Sequence, residues 1–121
     1  MSKRILVVED REEIRRILRD LLTSVEYEMI EAGSGEEGVA MAATHRPDLI
    51  LMDIQLPGLD GYEATRRIKA NPALRPIPII AITAHAQSGD DPRAREAGCD
   101  AYLPKPFGLH AVLAKIREYL P

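Results

Sequence analysis

The chain has 121 residues, enough for one packed core and too few for two. Hydrophobic residues make up 45% and charged residues 29%, the balance of a globular protein without repeats or low-complexity tracts. Its 16 basic residues are scattered among 19 acidic ones, so the net charge of -3 argues against a nucleic-acid footprint, and no apolar run is long enough for a signal peptide or a membrane span.

In chain order, the first apolar run is "RILVV", residues 4–8, of strand length and ended by Glu9 and Asp10. Ile14, Ile17, Leu18, Leu21, Leu22 and Val25 then recur at three and four residues, the stripe of a helix burying one face, and all six are read as core. "YEMIEA" (27–32) is a second strand, after which Ser34 and Glu37 form the capping box of a second helix. "LILM" (49–52), within "DLILM" (48–52), is bounded by Pro47 before and by Pro57 and Gly58 after. It reads as a strand covered on both faces, with Asp53 standing where that strand leaves the sheet.

Asp60 and Glu63 open a third helix by the same capping pattern, and "IPIIAIT" (77–83) is a fourth strand ending on Thr83. In the stretch 85–98, Gly89 and Pro92 leave room for only a short fourth helix, with Asp91 as cap and Pro92 at its first position. Its apolar residues are all alanines, so we expect it to be weakly anchored. Cys99, the only cysteine, excludes an internal disulfide and reads as a small buried residue after that helix. "DAYLP" (100–104) is the fifth strand, Lys105 follows it, and Leu109, Val112, Leu113, Ile116 and Leu120 mark a last helix, also read as core.

Strict alternation of strand and helix gives an α/β fold with a parallel sheet and helices on both faces, because each parallel return needs a right-handed crossover. Ligands of such sheets bind beyond the carboxyl ends of the strands. Glu9, Asp10, Asp53, Thr83 and Lys105 all follow or end strands and so converge on that edge. Singly, each acid would be read as a helix cap or a solvated side chain. Together, three carboxylates in one cleft repel by roughly 4 kcal/mol per close pair at an effective dielectric near 20, and need a counter-charge. All-oxygen donors of this kind suit Mg²⁺, held by one or two carboxylates together with a phosphate. Lys105 adds a mobile point charge for an anion, and a threonine hydroxyl can donate to a phosphoryl oxygen. That set allows Asp53 to attack an activated phosphoryl group and become an aspartyl phosphate, with Glu9 and Asp10 as metal holders.

The phrases "VVED", "LILMDIQLPGLDGYE", "IIAITA" and "YLPKPF", with the intervals between Asp53, Thr83 and Lys105, resemble the receiver domain of two-component response regulators across essentially the whole chain, residues 1–121. The resemblance implies the flavodoxin-like (βα)5 fold, a five-stranded sheet of order 2-1-3-4-5. It makes Asp53 the phosphoacceptor, and Glu9, Asp10, Asp53 and the Gln55 backbone carbonyl the Mg²⁺ site. Thr83 and Lys105 become the phosphoryl ligands and Tyr102 the aromatic partner of Thr83 in the switch. Lys105 and Pro106 match a pair usually joined by a cis peptide. The first acid is a glutamate where two aspartates are commonest.

The implied function is that of a single-domain response regulator. It takes a phosphoryl group from a sensor histidine kinase or a histidine phosphotransfer protein and changes its surface around the fourth helix, fifth strand and fifth helix for a downstream protein target. We expect it in the cytoplasm, assisting its own phosphorylation and dephosphorylation, with neither nucleic acid nor membrane as partner. Met1 suggests a natural start, and phrases such as "PDLILMDIQLP" and "EAGCDAYLPKP" resemble stand-alone regulators of the DivK kind as well as receiver modules of hybrid kinases. Two alternatives stand beside this: a docking module regulated without phosphorylation, and a receiver fragment of a hybrid histidine kinase.

Other users of the sheet fit less well. A flavodoxin-like carrier needs a hydroxyl- and glycine-rich phosphate loop where "EDREE" puts acids. A phosphohydrolase of the haloacid dehalogenase type carries a second aspartate where this chain has Gln55. His85, two residues beyond Thr83, is read equally as an exposed loop residue or, with Gln55, as a group tuning water access. His45 and His110 have no partner at metal-ligand spacing and are read as surface residues.

Overall fold

The pleat of a strand sends alternate side chains to opposite faces, and this chain supplies apolar residues for both. The computed structural model describes residues 2–85 and 91–121. Strands β1 (Arg4–Val8), β2 (Glu28–Ala32), β3 (Leu49–Asp53), β4 (Ile79–Thr83) and β5 (Ala101–Pro104) alternate with helices α1 (Glu12–Ser24), α2 (Gly35–His45), α3 (Gly61–Ala70), α4 (Pro92–Ala97) and α5 (Leu109–Tyr119). All pairings are parallel and the order is β2-β1-β3-β4-β5, as the resemblance implies. No helix among the described residues is long and apolar enough to cross a membrane.

The sheet separates two cores. Ile5, Val7, Leu49, Leu51, Ile80, Ile82 and Leu103 pack with Leu18 and Leu22 of α1 and Val112 and Ile116 of α5. Leu6, Val8, Ile50, Met52, Ile79 and Ala81 face the other way, against Ala42 of α2, Ala64 and Ile68 of α3 and Ala94 and Ala97 of α4. Each fully covered Leu or Ile contributes about 1.5–3 kcal/mol of transfer free energy, so the central strands are the most strongly held part of the fold. One parity rule follows: odd positions of β1, β3 and β5 look toward α1 and α5, whereas odd positions of β4 look toward α2, α3 and α4.

Local signals set the helix ends. The Ser34 hydroxyl accepts from the Glu37 amide, and the Glu37 carboxylate reaches back to the Gly33 amide, a capping box displaced by one residue. The Asp60 carboxylate accepts from the Glu63 amide at 2.9 Å to start α3. Gly61 cannot be larger, because a Cβ there would stand 2.3 Å from the Asp53 carbonyl oxygen and 2.6 Å from the Ile54 Cα. The first turn of α3 therefore rests directly on the backbone that carries Asp53.

α4 is six residues long, as its composition predicts, but it is better anchored than its alanines suggest. Ala94 and Ala97 are buried, Gly98 closes the helix in the left-handed region at φ 112°, and Asp91 is 1% exposed and fully hydrogen-bonded at its start. The part of the fourth-helix expectation that falls on 86–90 lies outside the described residues. The two helix stripes also need correction: Ile17 is 45% and Leu109 44% exposed, so neither is core. Periodicity gives the apolar face of a helix but not how far the core reaches around it: Leu109 opens α5, Ile17 stands beside the buried Leu18, and both line a surface groove instead.

Candidate functional site

Asp53 ends β3, where five buried positions in a row carry it to the carboxyl edge of the sheet at 2% exposure. Its Oδ1 accepts from the Lys105 ammonium at 2.6 Å and from the Gln55 amide at 3.0 Å. Glu9 follows β1 and is 5% exposed, its amide donating to the Ala32 carbonyl of β2 and its own carbonyl accepting from the Arg15 guanidinium at 2.6 Å. Asp10 is exposed beside it. One carboxylate oxygen from each of Glu9, Asp10 and Asp53 lies within 4.8 Å of the others. Parity explains the gathering: Glu9, Asp53 and Lys105 continue the odd positions of β1, β3 and β5 toward the α1 and α5 side of the edge.

The electrostatics separate the acids. Burial, the adjacent Asp53 and then Asp10 push Glu9 up to about 8, with Lys105 opposing. For Asp53 burial also acts upward, but hydrogen bonds from the Glu9 carboxyl, Lys105 and the Gln55 amide outweigh it and hold Asp53 below its ordinary value. Asp53 is therefore an anion backed by a lysine, and Glu9 keeps its proton to higher pH. Such an all-oxygen cluster, with one acid held neutral by burial and by its acidic neighbours, fits a hard divalent cation that would displace the proton.

Thr83 ends β4 at 0% exposure, and its hydroxyl is engaged away from Asp53. It donates to Asp91 at 2.8 Å and accepts from the His85 amide at 3.0 Å. Its odd position in β4 sends it toward α3 and α4. Tyr102, an even position of β5, shares that side, half-buried against the same core. Glu9, Asp53 and Lys105 thus lie toward one face of the sheet edge, and Thr83 and Tyr102 toward the other. Lys105 and Pro106 are joined by a cis peptide. His85 and His110 are exposed, and His45 is half-buried at the end of α2, its carbonyl accepting from Arg4.

Two features escaped the sequence reading. Asp91 looked like a helix cap and is also the partner of Thr83 and Tyr62. A groove of about 650 Å³ runs from Glu9, Gln55 and Lys105 over Ile14, Ile17, Phe107 and Leu109, so the apolar surface left by α1 and α5 opens directly into the acidic site.

The comparisons with known proteins agree with this geometry. The sequence model of the family "Response regulator receiver domain" matches residues 5–117. The polar-differentiation response regulator DivK of Brucella ovis is 45% identical over 120 residues, covering 99% of this chain and 98% of its own. The crystal structure of the receiver domain of sensor histidine kinase PA1611 from Pseudomonas aeruginosa PAO1, with a magnesium ion in its active-site cleft, superposes with a TM-score of 0.90 at 38% identity over 99% of this chain and 98% of that one. A chain of the Saccharomyces cerevisiae co-crystal structure of the phosphotransfer protein Ypd1 with the receiver domain of Ssk1 gives 0.88 at 33% identity, over 98% and 88%. With the acids, lysine and threonine at the strand ends where the fold places its site, and a family match across nearly its full length, the chain belongs to the response regulator receiver domains.

Proposed function

We propose that residues 1–121 form one receiver domain whose Asp53 accepts a phosphoryl group from a phosphohistidine. The observation that carries this is the buried Asp53 anion paired to Lys105 at 2.6 Å inside a cluster of three acids. An Asp53 carboxylate oxygen attacks phosphorus, the phosphorus–nitrogen bond breaks, and its electron pair returns to the imidazole ring. Lys105 is placed to neutralise a phosphoryl oxygen as charge redistributes, and Thr83 to donate its hydroxyl to another. Glu9, Asp10, Asp53 and the Gln55 carbonyl would hold Mg²⁺, which when bound supplies charge neutralisation to the phosphoryl oxygens.

The product carries roughly -2 of charge where the carboxylate carried -1, beside Lys105, which favours drawing the Thr83 hydroxyl across the sheet edge and lets Tyr102 turn inward behind it. The changed surface of α4, β5 and α5 would be read by a downstream protein. The domain is a signalling element in the cytoplasm that assists its own phosphorylation and dephosphorylation. Incubation with acetyl phosphate tests the chemistry: intact-protein mass should show one phosphoryl adduct with Mg²⁺ and almost none without it. Absence of an adduct in folded, Mg²⁺-bound protein would instead support a docking module.

For the donor, we infer a phosphohistidine on a kinase or phosphotransfer domain that lays an apolar helical face on the groove between α1 and α5. Ile17 and Leu109 are large, exposed and next to the acidic site, so a partner seated there presents its imidazole to Asp53. Ile17→Glu should slow transfer from a phosphohistidine donor by about tenfold or more, the effect of losing one interface anchor, while leaving phosphorylation by acetyl phosphate unchanged. Equal slowing with both donors would place Ile17 in folding rather than docking.

A further inference from the structure

A helix N-cap needs one carboxylate oxygen, and Asp91 Oδ1 meets that need by accepting from the Arg93 and Ala94 amides at 3.0 and 3.2 Å. Its Oδ2 does something else. It accepts from the Thr83 hydroxyl at the end of β4 and from the Tyr62 phenol of α3, each at 2.8 Å. All three side chains are buried, and the Arg93 guanidinium lies 4.3 Å from the Tyr62 ring centroid, covering the cluster from outside. Burial acts to raise the Asp91 carboxyl, but the hydrogen bonds from Tyr62, Thr83 and the two amides outweigh it and keep it below the ordinary range. Burial and the Asp91 charge push the Tyr62 phenol up to about 12, so it remains a donor.

A threonine hydroxyl has a single proton to give. Asp91 and a phosphoryl oxygen on Asp53 lie on opposite sides of the sheet edge, so both cannot receive it. Moving it requires Thr83 to change χ1, and a β-branched side chain does so between discrete wells rather than by degrees.

We propose that Asp91 is a positioning residue that holds the Thr83 hydroxyl in the unphosphorylated protein, so that phosphorylation of Asp53 reaches α4 as the loss of one of the four hydrogen bonds on its N-cap carboxylate. This rests on the reading of Thr83 as a phosphoryl ligand given above. The capping residue of α4 then competes directly with the phosphoryl group. Tyr62, the other donor to Oδ2, adjusts that competition from α3.

The two partners act with opposite sign. Asp91→Asn keeps an oxygen for the Arg93 and Ala94 amides but presents an NH₂ donor where Oδ2 stood, which frees the Thr83 proton. Tyr62→Phe leaves Thr83 as the only side-chain donor to a buried anion, which holds it harder. Beryllofluoride, a tetrahedral stand-in for the phosphoryl group, titrated with Mg²⁺ onto the full chain should bind about tenfold more tightly to Asp91→Asn, the effect of releasing one charge-assisted hydrogen bond, and more weakly to Tyr62→Phe. A purely structural role, in which both variants loosen one packed cluster, moves the two affinities in the same direction.

Amide exchange in the parent supplies a readout that needs no variant. Beryllofluoride should speed exchange at Arg93 and Ala94 relative to Leu18 and Leu22, and this acceleration should vanish in Asp91→Asn. If Asp91→Asn does not fold, Tyr62→Phe and exchange in the parent still decide. A parent that takes neither beryllofluoride nor phosphoryl overturns the Asp53 reading and this proposal with it. A parent that binds beryllofluoride, while the variants shift affinity together or not at all, or while Arg93 and Ala94 exchange unchanged, overturns this proposal alone.

Discussion

Lys105→Ala is expected to slow phosphorylation of Asp53 by acetyl phosphate by about 10²–10³-fold, the usual cost of removing one positioned charge donor from a transition state. The same substitution should strengthen Mg²⁺ binding. The ammonium sits 2.6 Å from Asp53 Oδ1 and is the counter-charge for a carboxylate that is 2% exposed. A divalent ion entering the site is repelled by that ammonium and competes with it for Asp53, so removal leaves more negative field for the metal. The attacking oxygen and the phosphoryl group, however, lose the neutralising charge that the metal alone does not replace. A Mg²⁺ titration and a rate measurement on one variant therefore move in opposite directions. Parallel loss of metal binding and rate would show Lys105 acting through the fold instead.

Mg²⁺ affinity is expected to rise steeply with pH and then level off near 8, and Glu9→Gln should remove most of that rise. Metal-free Glu9 is raised to about 8 from the ordinary 4.5 by burial, by Asp53 and by Asp10. An acid with a raised folded pKa destabilises the fold as pH climbs: below about 4.5 both states hold the proton, and between 4.5 and 8 the unfolded chain releases it first. Asp53 has the opposite sign, because its depressed pKa contributes stability above its ordinary value of 3.8 and that contribution is lost in acid.

Mg²⁺ requires a deprotonated glutamate, so below the Glu9 pKa each bound ion releases up to one proton and affinity rises by up to about tenfold per pH unit. Calorimetry in buffers of differing ionisation enthalpy counts that proton. Without metal at pH 9, Glu9→Gln should melt higher than the parent by ~4 °C or more, about 1 kcal/mol of relieved like-charge burial. An affinity independent of pH, or a variant that melts lower at pH 9, would contradict this assignment.

The sheet was legible because each strand is an apolar run with its own stop, and the candidate site because a fully buried run that ends in a charge singles out Asp53. The order of the strands came from the family resemblance rather than from periodicity. Helix periodicity marked Ile17 and Leu109 as apolar-face residues but carries no information on how far around the helix the core reaches. The proton on Glu9 depends on burial and on Asp53, which lies 44 positions away in sequence. Asp91 shows the same limit most clearly. The spacing of Asp91, Pro92 and the alanines announces a helix cap, and the cap is there; the second oxygen of the carboxylate meets Tyr62 and Thr83 only because pleat parity turns Thr83 toward α4. Parity of this kind can be counted along β4 from the residues alone, once the packing of the two faces is assigned.

Asp53 itself is expected to carry the phosphoryl group. Protein treated with acetyl phosphate and Mg²⁺, then reduced with borohydride, converts an aspartyl phosphate to homoserine, and peptide mass spectrometry locates the change. Homoserine is expected at position 53, in amounts that follow the intact-mass adduct, and none in Asp53→Asn. Reduction product at Asp10 or Glu9 in the parent, or an adduct that persists in Asp53→Asn at the parent's level, would contradict it.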